Sequence, residues 1–246
     1  MTGSEVSAPQ GARPSPIRRF APLAVMAVLI ALVFALDLDR YVSFQALSEN
    51  RDRLLAFVDR YMVLAPVLFV LVYALVVGLS IPGGAVLTIT GGFLFGLWLG
   101  TVLVVVGATF GAMLVFLVAR TALGDTLRQK AGPRIRKMEE GFREDAFNYL
   151  LVLRLIPIFP FWLVNIVPAV LGVPLRTYVV ATFIGIIPGS FVYASIGNGL
   201  GAVFDAGGTP DLGIIFKAEI ILPIVGLAVL AMLPVLYKKI KGRPLK

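Results

Sequence analysis

Arg154-Leu155-Ile156-Pro157-Ile158-Phe159-Pro160-Phe161-Trp162-Leu163-Val164-Asn165 is the stretch whose reading decides the fold. A guanidinium stands inside an apolar run, and two prolines follow it at once. Proline removes a backbone donor and blocks the helical ladder, so this run is a broken helix. Broken backbone at membrane depth survives only where protein or a wet cavity receives it, and charge placed there is costly enough to be functional by default. The stretch Tyr149–Leu171 therefore predicts a re-entrant hairpin in place of a membrane crossing.

Outward from it, apolar segments recur at Phe20–Leu36, Tyr61–Leu79, Ile81–Trp98, Thr101–Ala119, Tyr178–Ile196 and Ile214–Tyr237. A bilayer core demands about 17–25 mostly apolar residues of a helix. The 246-residue chain is 59% hydrophobic and only 15% charged, with a mean hydropathy of +0.93. That cannot furnish the charged shell of a soluble domain, typically about a quarter of its residues. The expected fold class is an all-α polytopic membrane protein. Cysteine and histidine are absent, which removes disulfides, thiolate nucleophiles, imidazole bases and the commonest metal ligands. Neither a metal nor a cofactor is expected. The net charge of +8 comes from bases at the ends of apolar segments, which fits a membrane surface and not a nucleic-acid face.

Four regions are expected. Residues 1–19 are a Pro-, Ser- and Gly-rich disordered tail, and 20–61 hold an uncleaved first span and an amphipathic helix, Ser43–Tyr61. Residues 62–204 form the core, and 205–246 a last span with a lysine-rich tail. Within the core, repeat 1 covers about 62–120 and repeat 2 about 148–200, joined by a basic amphipathic loop at 121–147 whose apolar face includes Leu127, Ile135 and Phe142. Placing the N-terminus, the Arg120–Phe147 loop and the tail in the cytoplasm makes a count of full crossings fail. Re-entrant hairpins repair it, leaving Ser43–Tyr61 and Asp205–Asp211 outside. A shift of 76 residues supports the pairing: it lays Gly96 on Gly172, Leu99-Gly100-Thr101 on Leu175-Arg176-Thr177, and Leu103-Val104 on Val179-Val180. Each repeat is then a hairpin followed by one span, and the two are inverted.

The expected breaks are Pro82, Gly83, Gly84, Gly91, Gly92 and Gly96 in the first hairpin, and Pro157, Pro160 and Gly172 in the second. The GxxxG-like pairs Gly107/Gly111 and Gly185/Gly189, with Pro188, read as helix-packing positions.

The second half, Arg154-x-x-Pro157-x-Phe159-Pro160-Phe161-x-Leu163-x-Asn165, then Thr182, Gly185, Pro188-Gly189 and Tyr193, resembles the VTT domain of the DedA-like superfamily. This is also called the SNARE-associated Golgi protein family. Gly91 to Gly96, Gly100, Gly107, Gly111 and Arg120 match its first half in order. The resemblance covers about Pro66–Gly201 and is nearest to bacterial relatives of the yeast Golgi vesicle-associated member. It implies opposed re-entrant hairpins in inverted repeats, residence in a bacterial inner membrane, and movement of lipids between leaflets. One departure stands out. Proton-coupled bacterial members resemble one another in acidic residues around the first hairpin, whereas here no Asp or Glu lies between Asp59 and Asp125 or between Asp145 and Asp205.

Arg154 has two readings, a ligand for a lipid phosphate through its planar fork or a cap for carbonyls of its own broken helix. Asn165 is expected to hydrogen-bond across the hairpins. Arg176 and Arg120, at span ends, either line the headgroup path or snorkel to the interface. Membrane lipids are the expected partners, with a homo-oligomer left open. The leading function is a lipid transporter or scramblase. A small-solute transporter and a scaffold acting through the basic loop are the alternatives, and an enzyme on lipid phosphate lacks its usual acid–base and nucleophilic groups.

Overall fold

The computed structural model describes residues 16–122, 145–157, 159–208 and 210–241. The basic loop helix expected at Leu127–Phe142, most of the N-terminal tail and the end of the C-terminal tail lie outside them. All regular structure among the described residues is helical: α1 (Pro16–Ala35), α2 (Phe44–Arg60), α3 (Leu64–Gly78), α4 (Gly84–Ala122), α5 (145–155), α6 (Phe161–Val170), α7 (Leu175–Asn198), α8 (Leu200–Asp205) and α9 (Ala218–Lys241). Short 3-10 turns stand at Leu38–Tyr41 and Leu212–Phe216. Gly84–Ala122, Leu175–Asn198 and Ala218–Tyr237 are long and apolar enough to cross a bilayer. The exposed faces of α1 and α9 are apolar too, with Val25, Leu32, Leu230 and Leu233 all outward. This is the inversion of surface polarity expected where lipid replaces water.

The first hairpin is α3, a tip at residues 79–83 and the first limb of α4, residues 84–95. The tip forms because Pro82 ends any helix and Gly83 sits at φ 128, a region L side chains avoid. Ser80 joins it at φ 54. The return limb ends at Gly96, whose φ of 75 and ψ of 176 break α4 before its long second limb, residues 97–122. The second hairpin repeats the order. Residues 145–155 lead in, Pro157 and Pro160 bound the tip, α6 returns, and Gly172 turns the chain at φ 73 into α7. The glycines that follow the two return limbs, Gly96 and Gly172, both at positive φ, are thus 76 residues apart, in the register the sequence suggested.

Contacts show the inversion. Trp98, near the start of the long α4 limb, meets Phe191 late in α7, with ring centroids 5.4 Å apart. Phe116, near its end, stacks on Tyr178 at the start of α7, at 4.3 Å. The spans are antiparallel. Within each repeat the entering helix runs parallel to its own span. Gly107 faces Tyr73 and Gly111 faces Val77, while Gly185 faces Arg154 and Leu151. These glycines let helices approach closely, which is what drives association in lipid. Gly189 has only Ile215 Cδ1 near, at 3.8 Å, and Pro188 lies within α7, so the tight contact there is made at Gly185.

Three expectations change. Gly91 and Gly92 are not breaks; both are buried inside the return limb. They serve contact: a Cβ on Gly91 would meet Phe69 and Val104, and one on Gly92 would enter the backbone of Ala194. Gly84 is the first residue of that limb rather than part of the tip. The last apolar segment does not begin its helix at Ile214, because Leu212–Phe216 forms a 3-10 turn and α9 starts at Ala218.

The amphipathic helix α2 starts at Ser43, whose Oγ accepts from the Ala46 amide at 3.2 Å, an N-cap. Its apolar face packs on the first hairpin: Leu47 joins Ile89 and Leu200 in one cluster with Leu54 and Phe93 around it. Its polar face carries Arg51, whose Nη1 donates to Asp205 Oδ1 at 2.7 Å. That contact holds the guanidinium above its ordinary value. It also pins α2, which runs along the first hairpin, to the end of α8. Arg120, Arg176 and the start of α5 lie at the end of the two spans opposite Trp98 and Phe191, where Ala119, Ala146 and Tyr178 share a core cluster.

Candidate functional site

Arg154 lies on α5 just before the second tip. Gly185 opposite it has no side chain, and a Cβ there would press on Arg154 Cβ at 2.6 Å. The close approach carries the guanidinium toward α6 and α7. Its Nε donates to Thr182 Oγ1 at 3.2 Å. Its Nη2 donates to Asn165 Oδ1 and to the Tyr178 hydroxyl, each at 2.7 Å. The guanidinium carbon also stands 5.4 Å from the centre of the Tyr178 ring. Tyr178 Oη in turn lies 2.6 Å from Asn165 Oδ1 and 3.3 Å from the Ala112 carbonyl of α4. The network therefore ties the second hairpin to both spans.

These partners are neutral oxygens on neighbouring helices. Asn165, Tyr178 and Thr182 are essentially sealed, at 0%, 0% and 1% exposure. With its oxygen spoken for by two donors, Asn165 leaves Nδ2 buried without a hydrogen-bond partner. An amide donor left so costs about 1–3 kcal/mol. The other such atom among the described residues, Thr109 Oγ1, is on α4.

Arg154 and Asn165 are thus in direct contact. Arg120 and Arg176 are not part of this network; both are exposed, one closing α4 and the other opening α7, at the end of the molecule from which the second hairpin enters. Sequence reasoning gave Tyr178 no role and took Thr182 only as part of the family resemblance. Their signal was present: Tyr178, Thr182 and Gly185 fall four and three residues apart, one helical stripe of small or polar groups in an apolar span.

The first hairpin has its own network, without charge. Tyr73 Oη and Thr88 Oγ1 are 2.9 Å apart, and Thr88 donates to the Gly84 carbonyl at 2.7 Å. The 76-residue register sets Gly78 where the second hairpin has Arg154. The fold is symmetric in backbone and asymmetric in chemistry.

Opposed broken hairpins, antiparallel spans and a half-buried cation between them define a polytopic α-helical membrane protein of the inverted-repeat kind. Residues 81–199 match the VTT domain family model. Transmembrane protein 41B of Homo sapiens is 32% identical over 242 residues, covering 90% of this chain and 80% of the relative. The Transmembrane protein 41 homolog of Caenorhabditis elegans is 32% identical over 173 residues, 69% of this chain and 68% of that one. A Dictyostelium discoideum homolog is 28% identical over 200 residues. The chain belongs to the VTT-domain family. No solved structure matches it significantly.

Proposed function

We propose that this protein moves phospholipids between leaflets, with the headgroup phosphate passing through the Arg154–Asn165 site while the acyl chains remain in the bilayer. The observation that carries the reading is Asn165 Nδ2, a sealed amide donor without a partner beside a guanidinium. A phosphate oxygen is the acceptor that would satisfy it, and the planar fork of Arg154 suits the same group. No covalent bond changes, and no protonation step within either repeat is needed, since neither contains Asp or Glu between Asp59 and Asp125 or between Asp145 and Asp205. The resemblance and the placement of bases support residence in a bacterial inner membrane with both termini cytoplasmic.

The test is purified protein in vesicles carrying a headgroup-labelled phospholipid, assayed for leaflet exchange and, in parallel, for leakage of a small trapped solute. Exchange without leakage is expected; leakage or uptake without exchange contradicts the reading and favours a solute transporter. Asn165→Asp sharpens it. A carboxylate at the Oδ1 position, 2.7 Å from Arg154 Nη2, replaces the incoming anion with a fixed one. We expect unimpaired folding and a strong loss of exchange. Normal exchange in that variant would remove phosphate binding at this site from the account.

A further inference from the structure

We infer that the space between α2 and the first hairpin holds one acyl chain of a bilayer glycerophospholipid. A cavity of about 410 Å³ lies there, walled by Leu47 and Leu54 of α2, Leu68 and Val72 of α3, and Leu87 and Leu94 of α4. A second cavity, of about 390 Å³, continues it to the hairpin base; both touch Val58, Leu94 and Phe95. Together they run from Val42, which a Cβ on Gly83 at the tip would strike, to Met62, Pro66 and Leu99.

The walls choose the occupant. The polar side chains on the lining are engaged with nearby chain: Ser43 Oγ donates to the Arg40 carbonyl, Asn50 Nδ2 to the Ala46 carbonyl and Thr90 Oγ1 to the Val86 carbonyl, while the Tyr41 hydroxyl accepts from Arg40 Nη2. Water would find few of the polar partners it needs, and protein interiors do not ordinarily leave such space open. Hydrocarbon needs none. The side formed by α3 is continuous with lipid-facing surface, since Val67, Leu71 and Leu75 are all about half exposed or more on that helix. At the base, exposed Trp98 and Tyr61 mark the level of the headgroups. Charges of both signs stand there: Asp59 lines the second cavity, and the Arg60 guanidinium carbon lies 5.4 Å from the Tyr61 ring centre. That pairing suits a zwitterionic head, with phosphate toward Arg60 and ammonium toward Asp59. The site rests on the membrane reading alone and would exist whether or not the protein moves lipid.

The experiment uses the full chain in phosphatidylcholine vesicles containing a phosphatidylcholine with a photoactivatable group midway along one acyl chain. Cross-links are mapped by mass spectrometry in wild type, in Thr90→Trp, which fills the groove, and in Leu230→Trp, on the outer face of α9. Label concentrated on Val86, Thr90 and Leu94 above that on α9, lost in Thr90→Trp and kept in Leu230→Trp, is the expected result. Thermal unfolding of each variant is measured alongside; if Thr90→Trp does not fold, Val72→Trp replaces it. Label spread evenly over the outer faces overturns the site, as does a disulfide-linked dimer formed by single Thr90→Cys protein of this cysteine-free chain, which would make the groove a contact between copies. Leaflet exchange is followed in the same vesicles: groove label without exchange keeps this site and sinks the proposed function, whereas exchange without groove label sinks this site alone.

Discussion

Replacing Gly92 by alanine should loosen the fold more than its single added methyl suggests. A Cβ at Gly92 would lie 2.7 Å from both the carbonyl carbon and Cα of Ala194, and closer still to its oxygen. Real Cβ contacts below 3.0 Å are essentially never seen, and here the obstacle is backbone, which cannot rotate away. The return limb of the first hairpin must back off from α7, and overpacking of this kind costs about 1–3 kcal/mol. Alanine is also worth up to about 1 kcal/mol over glycine within a helix, which offsets part of that. Gly226→Ala in α9 isolates the second effect, because nothing lies within 4 Å of a Cβ there. In thermal unfolding of detergent-purified protein, Gly226→Ala should hold or raise Tm. Gly92→Ala should fall below it by about 2–12 °C, at roughly 2–4 °C per kcal/mol for a chain of this size. Equal midpoints for the two variants would refute the close contact between the first hairpin and α7, and with it the interlocking of the repeats.

Two further outcomes follow from the ends of the molecule. Single cysteines introduced into this cysteine-free chain should label from outside intact cells at Arg53 and from the cytoplasm at Lys137; outside labelling at 137 reverses the orientation. Arg51→Ala and Asp205→Ala should each weaken the clasp between α2 and the end of α8, with a double-mutant coupling that is small and fades with added salt, since exposed pairs are screened. Arg51 is held above an already high value by Asp205. Its contribution is therefore fully present below its unfolded value and does not titrate away between neutral and mildly alkaline pH. A coupling that disappeared over that range would contradict the assignment.

How much of this was legible beforehand depended on whether the signal was local. Proline and glycine act on their own backbone, so the tips at Pro82–Gly83 and Pro157–Pro160 and the turns at Gly96 and Gly172 were readable from the chain alone. Gly91 and Gly92 misled for the same reason: glycine in sequence looks like freedom, and only the proximity of Phe69, Val104 and Ala194 shows that here it means close packing. Arg154 and Asn165 announced themselves as polar groups in apolar runs. Tyr178 and Thr182 did not, because each is ordinary in a membrane helix until the antiparallel spans bring it against Arg154. The amphipathic face of α2 was visible, but what it met was a tertiary matter: part of it packs on Ile89 and Leu200 through Leu47, and part walls the groove beside the first hairpin.

The most direct measurement of the central claim is leaflet exchange by Arg154→Ala and Arg154→Lys in vesicles, normalised to folded protein and read beside thermal stability. Alanine removes the donors to Thr182, Asn165 and Tyr178 together, while lysine keeps the charge and loses the planar fork. The account predicts that Arg154→Ala still inserts and purifies but no longer exchanges lipid, and that Arg154→Lys recovers only part of the rate. A stable Arg154→Ala protein that exchanges lipid at the wild-type rate would contradict it.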